Sequence, residues 1–332
     1  MSNTLVTIDM VTREALRIAH EKCQFISTTD RQYDSSFAKT GAKIGASLRV
    51  RKPNQYLRTQ GTRVMDVQEQ DEQTSTVTVA TQDHVDMRFN SAELALSLDE
   101  LSKRYIEPAV SSLVSAIEGD YLAYATKKTY NVVGTAGTAI TDLTAPGLAR
   151  ARLNQMLAPK DRNRAIQMDS VTMAGLVKGV AAYFNPSGAI SEQYREGLVA
   201  RTSMADYYEN ERVWTLTNSS DVTVTTAAAA AVTDGGTNIT LASVGAGDTT
   251  AGMTFTVAGV YACHPETKQS LGYLQPYVVI TGGATTQTVS PATILTGPRQ
   301  NVCSAASAQL ATTAYNGTAV AVTFFGAMNT SY

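Results

Sequence analysis

An α+β body followed by a separate all-β module is the fold class this sequence predicts, and three observations carry it. Fifty of the fifty-six charged residues fall in residues 1–218; only Asp221, Asp234, Asp248, Glu266, Lys268 and Arg299 fall in 219–332. The first stretch holds helical and alternating apolar periods side by side. The second is rich in Thr, Ala, Gly, Val and Ser and breaks into short runs between glycine turns. So sharp a change of composition marks a boundary between units with different cores.

The elements follow in order. Residues 4–26 read as an amphipathic helix, with Thr7 or Asp9 as cap and Val11, Ala15, Ile18 and Ala19 at helical spacing, Phe25 and Ile26 just beyond. This helix has one stripe to bury and needs another surface to lie on; with the polar stretch 27–40 it reads as an arm. Residues 42–51 alternate, with Ile44, Ala46, Leu48 and Val50 on one face, and predict a half-buried strand. Residues 74–80 and 85–89 alternate again. Together they predict a long β-hairpin with a polar tip around 54–73.

Residues 91–130 predict a long helix, opened by Ser91, Leu94 and Leu98 and continued by Leu101, Tyr105, Val110, Leu113, Val114, Ile117, Tyr121 and Tyr124. Pro108 is expected to kink or break it. A Gly/Thr-rich connection spans 131–147. Then come a helix at 146–158, a short strand at 165–168, an apolar helix at 170–183, a polar loop at 184–204 and a strand at 206–216. The module holds about six short strands: 221–226, 237–242, 253–260, 274–281, 285–290 and 317–325. Gly-rich turns separate them, which predicts a small barrel or sandwich that folds on its own.

The hairpin segregates its charge. Lys39, Lys43, Arg49, Arg51, Lys52, Arg58 and Arg63 are all basic, and Asp66, Glu69, Asp71 and Glu72 are all acidic. A basic stripe beside an acidic tip suits a self-complementary contact between copies. It also suits an ordinary solvated hairpin with local ion pairs, each worth about 0–1 kcal/mol. These eleven residues are the candidate inter-subunit contact.

Composition narrows the function classes. At 332 residues the chain holds about two domains of ~150 residues. Its charged fraction of 17% lies below the ~25% of ordinary domains, so neutral polar groups or other subunits must cover the surface. A net charge of −2 argues against a dedicated nucleic-acid binder. Cys23, Cys263 and Cys303 are far apart in sequence, odd in number and without CxxC spacing; free thiols and a reducing cytoplasm are expected. No signal peptide opens the chain, and no run of about 18 apolar residues predicts a membrane span.

No constellation carries chemistry. His84 lies between Asp83 and Asp86 on an expected strand, His20 on a helix, and His264 beside Cys263, where strand neighbours point to opposite faces and cannot easily share a ligand. Gly245-Ala-Gly247 superficially resembles a phosphate loop but no helix follows it. No nucleophile elbow, P-loop or zinc helix motif is present, so no enzyme, cofactor or metal is expected.

Several stretches bear a family likeness: Thr4-Leu-Val-Thr-Ile-Asp-Met-Val-Thr-Arg-Glu-Ala-Leu16, Arg31-Gln-Tyr-Asp-Ser-Ser-Phe37, Gln193-Tyr-Arg-Glu-Gly197, Tyr207-Tyr-Glu-Asn210, and Val257-Ala-Gly-Val260 with His264-Pro-Glu-Thr-Lys268. With the order of elements, they make the chain resemble the major capsid (coat) proteins of tailed bacteriophages. It is most similar to the P22-like coat-protein family, whose members carry an insertion domain. The resemblance implies the HK-type capsid fold: an N-arm (1–40), an extended loop (41–92), a spine helix of the peripheral domain (93–130), an axial domain (131–218), an inserted β domain (219–326) and the start of a return to the core (327–332). It implies an icosahedral head shell around double-stranded DNA, assembled in the host bacterial cytoplasm. Expected partners are the chain itself in pentamers and hexamers, scaffolding, portal and decoration proteins, and packaged DNA by weak non-specific contact. The alternative is another virion component, a decoration or tail-tube subunit. Because the family returns to its core after the insertion, the native chain is expected to continue beyond Tyr332, or else to leave apolar faces such as Leu153, Met156, Leu176, Val177 and Val180 under-covered.

Overall fold

The structure, a computed structural model, describes residues 8–29, 43, 45–61, 65, 67–69, 72–88, 98–160, 163–180, 205–218, 223–226, 233–242, 249–282, 286–308, 310 and 320–325. It is α+β, with the helices in the first 180 residues and a sheet of seven strands in the last third.

Helix α1 (Ile8–Lys22) finds its surface on its own chain. Ile18, with Val11, Ala15, Ala19 and Cys23 around it, packs on Leu101, Ile106, Val110 and Val114 of the long helix. Polar fastenings flank that seam: Ser102 Oγ donates to Glu14 at 3.0 Å, and Lys22 pairs with Glu107 at 3.2 Å. Arg17 and Ser102 together hold the Glu14 carboxyl below its usual pKa. A short α2 (Phe25–Thr28) completes the arm.

The long helix comprises α3 (Leu98–Leu101), a π-helical turn at Ser102–Ile106 and α4 (Glu107–Lys128). Pro108 does not break it. The wider turn directly ahead of the proline takes up the missing N–H and the ring that an α-helical turn could not. The buried positions on α4 are Val110, Val114, Glu118 and Leu122. Tyr121 and Tyr124, expected on the apolar stripe, are instead exposed; Tyr121 stacks on Phe25 at 5.3 Å and Tyr124 lies under Lys128 at 4.4 Å.

A small body follows. Strand β3 (Arg164–Met168) pairs in parallel with β4 (Ala205–Glu209); α6 (Ser170–Val180) packs on them, and α5 (Thr144–Gln155) precedes β3 in the chain. The expected strand 206–216 ends at Glu209, because Asn210 bends the chain: its side-chain oxygen accepts Arg212 N–H at 3.0 Å. Met168, Met173, Leu176, Val180 and Tyr207 form the core, with Ile140 and Leu143 packed against it. The 140–142 segment crosses α6 so closely that a Cβ at Gly179 would overlap the Thr141 carbonyl oxygen. The expectation of under-covered helices holds only in part. Leu176 and Val180 are buried, Met156 and Val177 half-buried, while Leu153 is 43% exposed.

The last third closes on itself. Strands β5 (Thr223–Thr226), β6 (Gly236–Ala242), β7 (Thr254–Cys263), β8 (Ser270–Thr281), β9 (Thr286–Thr293) and β11 (Ala321–Phe324) pair antiparallel in the cycle β7-β11-β5-β6-β9-β8-β7. The short β10 (Val302–Cys303), which the sequence reading missed, extends the ladder on β7. This is a barrel rather than a sandwich, so its strands leave few open edges. Phe255, Val257, Tyr277, Val279, Val289, Val322 and Phe324 fill its interior. Phe255 stacks on Tyr277 (5.9 Å) and Phe324 (5.4 Å), and the buried Tyr277 hydroxyl bonds Thr293 at 3.0 Å. Two of its few charges act as staples. Asp234 accepts Leu295 N–H at 2.7 Å, and Lys268 donates to the Pro298 and Gln300 carbonyls.

Candidate functional site

The hairpin forms as β1 (Ser47–Arg51) and β2 (Thr74–Thr78), antiparallel, with Leu48 opposite Val77 and Val50 opposite Ser75. It is shorter than expected. Residues 81–88 form no strand, and among the described residues no third strand pairs with them; Val85 and Met87 are 42% and 41% exposed. Alternation gave the extended backbone but not the partner that makes a strand.

All described members of the charged set are exposed: Lys43, Arg49, Arg51, Lys52, Arg58, Glu69 and Glu72. Lys39, Arg63, Asp66 and Asp71 lie outside the described residues. On β1 the pleat sends Leu48 and Val50 to the half-buried face and Arg49 and Arg51 to the open one. Arg51 pairs with Glu72 across the hairpin at 3.5 Å, with both side chains more than half exposed. That is one instance of the local pairing a solvated hairpin would show, and it contributes little. The loop is held in shape by Gln68, whose amide donates to the Leu57 carbonyl (2.6 Å) and accepts the Leu57 N–H (2.8 Å). Beyond it Met65 and Val67 are 88% and 79% exposed, apolar side chains among acidic ones. The base of the loop lies against the barrel: a cleft of about 790 Å³ is lined by Lys52–Leu57, Gln68, Glu69 and Gln73 on one side and Ile294, Pro298 and Arg299 on the other.

One cluster escaped the sequence reading. Glu118 is fully buried on α4. Its carboxylate accepts the Phe25 N–H at 2.9 Å from the arm and Arg212 Nη1 at 2.8 Å from the loop after β4. Arg212 also donates to Ser115 Oγ at 3.0 Å. A buried carboxylate is tolerable only when paired and hydrogen-bonded in this way. Arm, long helix and body thus meet at one group. The signal was present: Val110, Val114, Glu118 and Leu122 recur every four residues, and a carboxylate inside such a stripe needs a cation brought to it.

The barrel touches the long helix where Lys127 lies 5.0 Å over Trp214 and where Gly252, at φ +102°, leaves room for both side chains.

The remaining candidates hold no site. His84 and Asp86 pair at 3.5 Å on exposed backbone. His264 Nδ1 accepts the N–H groups of Glu266 and Thr267, closing a turn. Cys263 and Cys303, forty residues apart, lie on one face of β7 and β10 as diagonal neighbours. Both are buried free thiols, and burial pushes Cys263 up to about 12, which makes it unreactive. Among the described residues no group of His, Cys, Asp or Glu could hold a metal, and no helix is long and apolar enough to cross a membrane. No protein-family model matches the chain, and no curated protein matches it in sequence.

Proposed function

We propose that the chain is the major capsid protein of a tailed bacteriophage, a shell subunit that assembles with itself into pentamers and hexamers around double-stranded DNA. The observation that carries this reading is the hairpin. A chain able to close a barrel also forms a two-stranded ribbon from Ser47–Arg51 and Thr74–Thr78, with exposed charge of both signs and exposed Met65 and Val67 beside it. An isolated hairpin is marginal in water and gains from a surface to lie on. A neighbouring copy supplies that surface.

The other elements take their places in an HK-type fold: the arm on the long helix, the long helix as spine, the small α/β body as axial domain and the barrel as inserted domain. The work is geometric. The compact units stay constant while arm and hairpin absorb the differences between five-fold and six-fold neighbours. A net charge of −2 keeps the inner wall from gripping DNA that must slide during packaging. Scaffolding, portal and decoration proteins are the further partners, and the virion is the destination.

Electron microscopy of the purified full chain, alone and with co-expressed phage assembly proteins, tests the proposal. Closed shells are expected. Tubes would favour the tail-tube reading, and monomers under both conditions would overturn the shell reading.

A further inference from the structure

The Glu118 carboxylate is shared between the two ends of the α+β region. Its Oε1 accepts the Phe25 N–H from the arm at 2.9 Å, and its Oε2 accepts Arg212 Nη1 from the body at 2.8 Å. The Glu118 side chain has no exposure at all, while Arg212 keeps 25% of its own. One oxygen therefore depends on the arm and the other on the body.

Each donor is anchored on its own side. Phe25 opens α2, which touches both the long helix and β3. Its ring stacks on Tyr121, one helical turn beyond Glu118. Arg212 is fixed from the body: its N–H goes to Asn210 Oδ1 at 3.0 Å. The buried Asn210 is tied in turn to the end of β3, by its N–H to the Met168 carbonyl (2.9 Å) and by its amide to Gln167 Oε1 (3.1 Å). An unbroken run of hydrogen bonds thus leads from β3 through Asn210, Arg212 and Glu118 to the arm. The other polar fastenings of the arm, Glu14 to Ser102 and Lys22 to Glu107, reach the long helix alone.

A buried carboxylate that loses its cation is strongly unfavourable, so water must then come to it. Of the elements meeting at Glu118, α2 is the shortest, with four residues, and yields most easily. In the other direction, lifting α2 lets water reach the carboxylate and weakens its attraction for Arg212.

We propose that Glu118 is a latch that couples the arm to the body: the arm docks firmly only while the 210–212 turn is seated on β3, and displacing either one loosens the other. Coupling of this kind is reciprocal. It does not depend on the chain building a shell.

Amide hydrogen exchange of the full chain, read by mass spectrometry on peptides within 8–28 and 205–213, tests the latch. A helix the length of α1 is marginal alone in water, so a loosened arm loses protection. Arg212→Gln should speed exchange in 8–28 by about tenfold, although the arm's hydrogen bond runs to Glu118 rather than to Arg212. Glu118→Gln keeps an acceptor for Phe25 and removes the charge that needs a cation. In that background Arg212→Gln should leave arm exchange unchanged. Phe25→Ala, which removes the ring from Tyr121, should in turn speed exchange in 205–213. If Arg212→Gln fails to fold, Ser115→Ala takes its place in both backgrounds, since it removes one Arg212 partner and leaves the charges intact. Arm exchange that ignores the Arg212 variant, equal acceleration in both backgrounds, or 205–213 exchange that ignores Phe25→Ala would each overturn the proposal.

Discussion

The barrel and the hairpin are both antiparallel β-structure, yet they bury their residues in opposite ways. The barrel turns Phe255, Tyr277, Val279 and Val322 into a shared interior and uses Asp234 and Lys268 as internal staples. The hairpin has five exposed residues in a row on β2 and charge along both sides of its loop. The barrel has its partners within itself. The described hairpin strands instead leave most of their side chains open to solvent.

The largest expected effect separates the two regions directly. Phe255→Ala should cost about 3–5 kcal/mol through lost burial and the cavity left behind. Val77→Ala, on the exposed strand, should cost less than about 0.5 kcal/mol. Denaturant unfolding of both variants checks this; a costly Val77→Ala would mean that the hairpin is part of the monomer's core.

The body should prove as intolerant as the barrel at one point. Gly179→Ala places a methyl group against backbone rather than a yielding side chain, so a loss of about 1–3 kcal/mol or more is expected. A thermal midpoint equal to that of the unmodified chain would show that the 140–142 segment can lift away.

Charge reversal sharpens the hairpin's side of the comparison. Arg58→Glu with Arg63→Glu should leave monomer stability within about 0.5 kcal/mol and reduce assembly. Normal particles by microscopy from the double variant would remove the hairpin from the inter-subunit contact.

The smallest effect is a pH dependence in the body. Asp169 stands at the start of α6, where the Thr172 side chain and backbone N–H hold its pKa below 3.8. A carboxylate depressed in the folded state stabilises above its unfolded pKa, and that contribution is lost as pH falls through the lower folded value. Asp169→Asn should therefore cost up to about 1 kcal/mol at pH 7, less because this turn is partly exposed, and the difference from the unmodified chain should shrink below pH 3.8. Urea titrations at both pH values measure it; a constant difference would remove the carboxylate charge as its cause.

Local pattern made much of this legible in the sequence. Alternation in 42–51 and 74–80 gave the two hairpin strands, and helical spacing in 4–26 gave the stripe that α1 buries. What pattern could not give was the identity of a partner. Residues 85–89 alternate as β2 does, yet 85–88, the described part, lie in no strand. Pro108 signalled a break, but only the three-dimensional helix shows that a π turn accommodates it. Glu118 and Arg212 are ninety-four residues apart and Cys263 and Cys303 forty, and no spacing rule links either pair. Barrel closure was the same kind of problem, since both barrels and sandwiches are made of short strands with glycine turns.

The strand by which the chain enters the barrel and the last strand within it are hydrogen-bonded neighbours, Thr223 opposite Thr323 and Thr225 opposite Ala321. About a hundred residues therefore leave and come back at places one strand spacing apart, about 5 Å. Seen from the rest of the chain, the barrel is a loop of almost no span. Its inner turns can lengthen, shorten or carry a foreign peptide without moving the two ends, so sequence drift should be quickest at the far rim and slowest at this doorway.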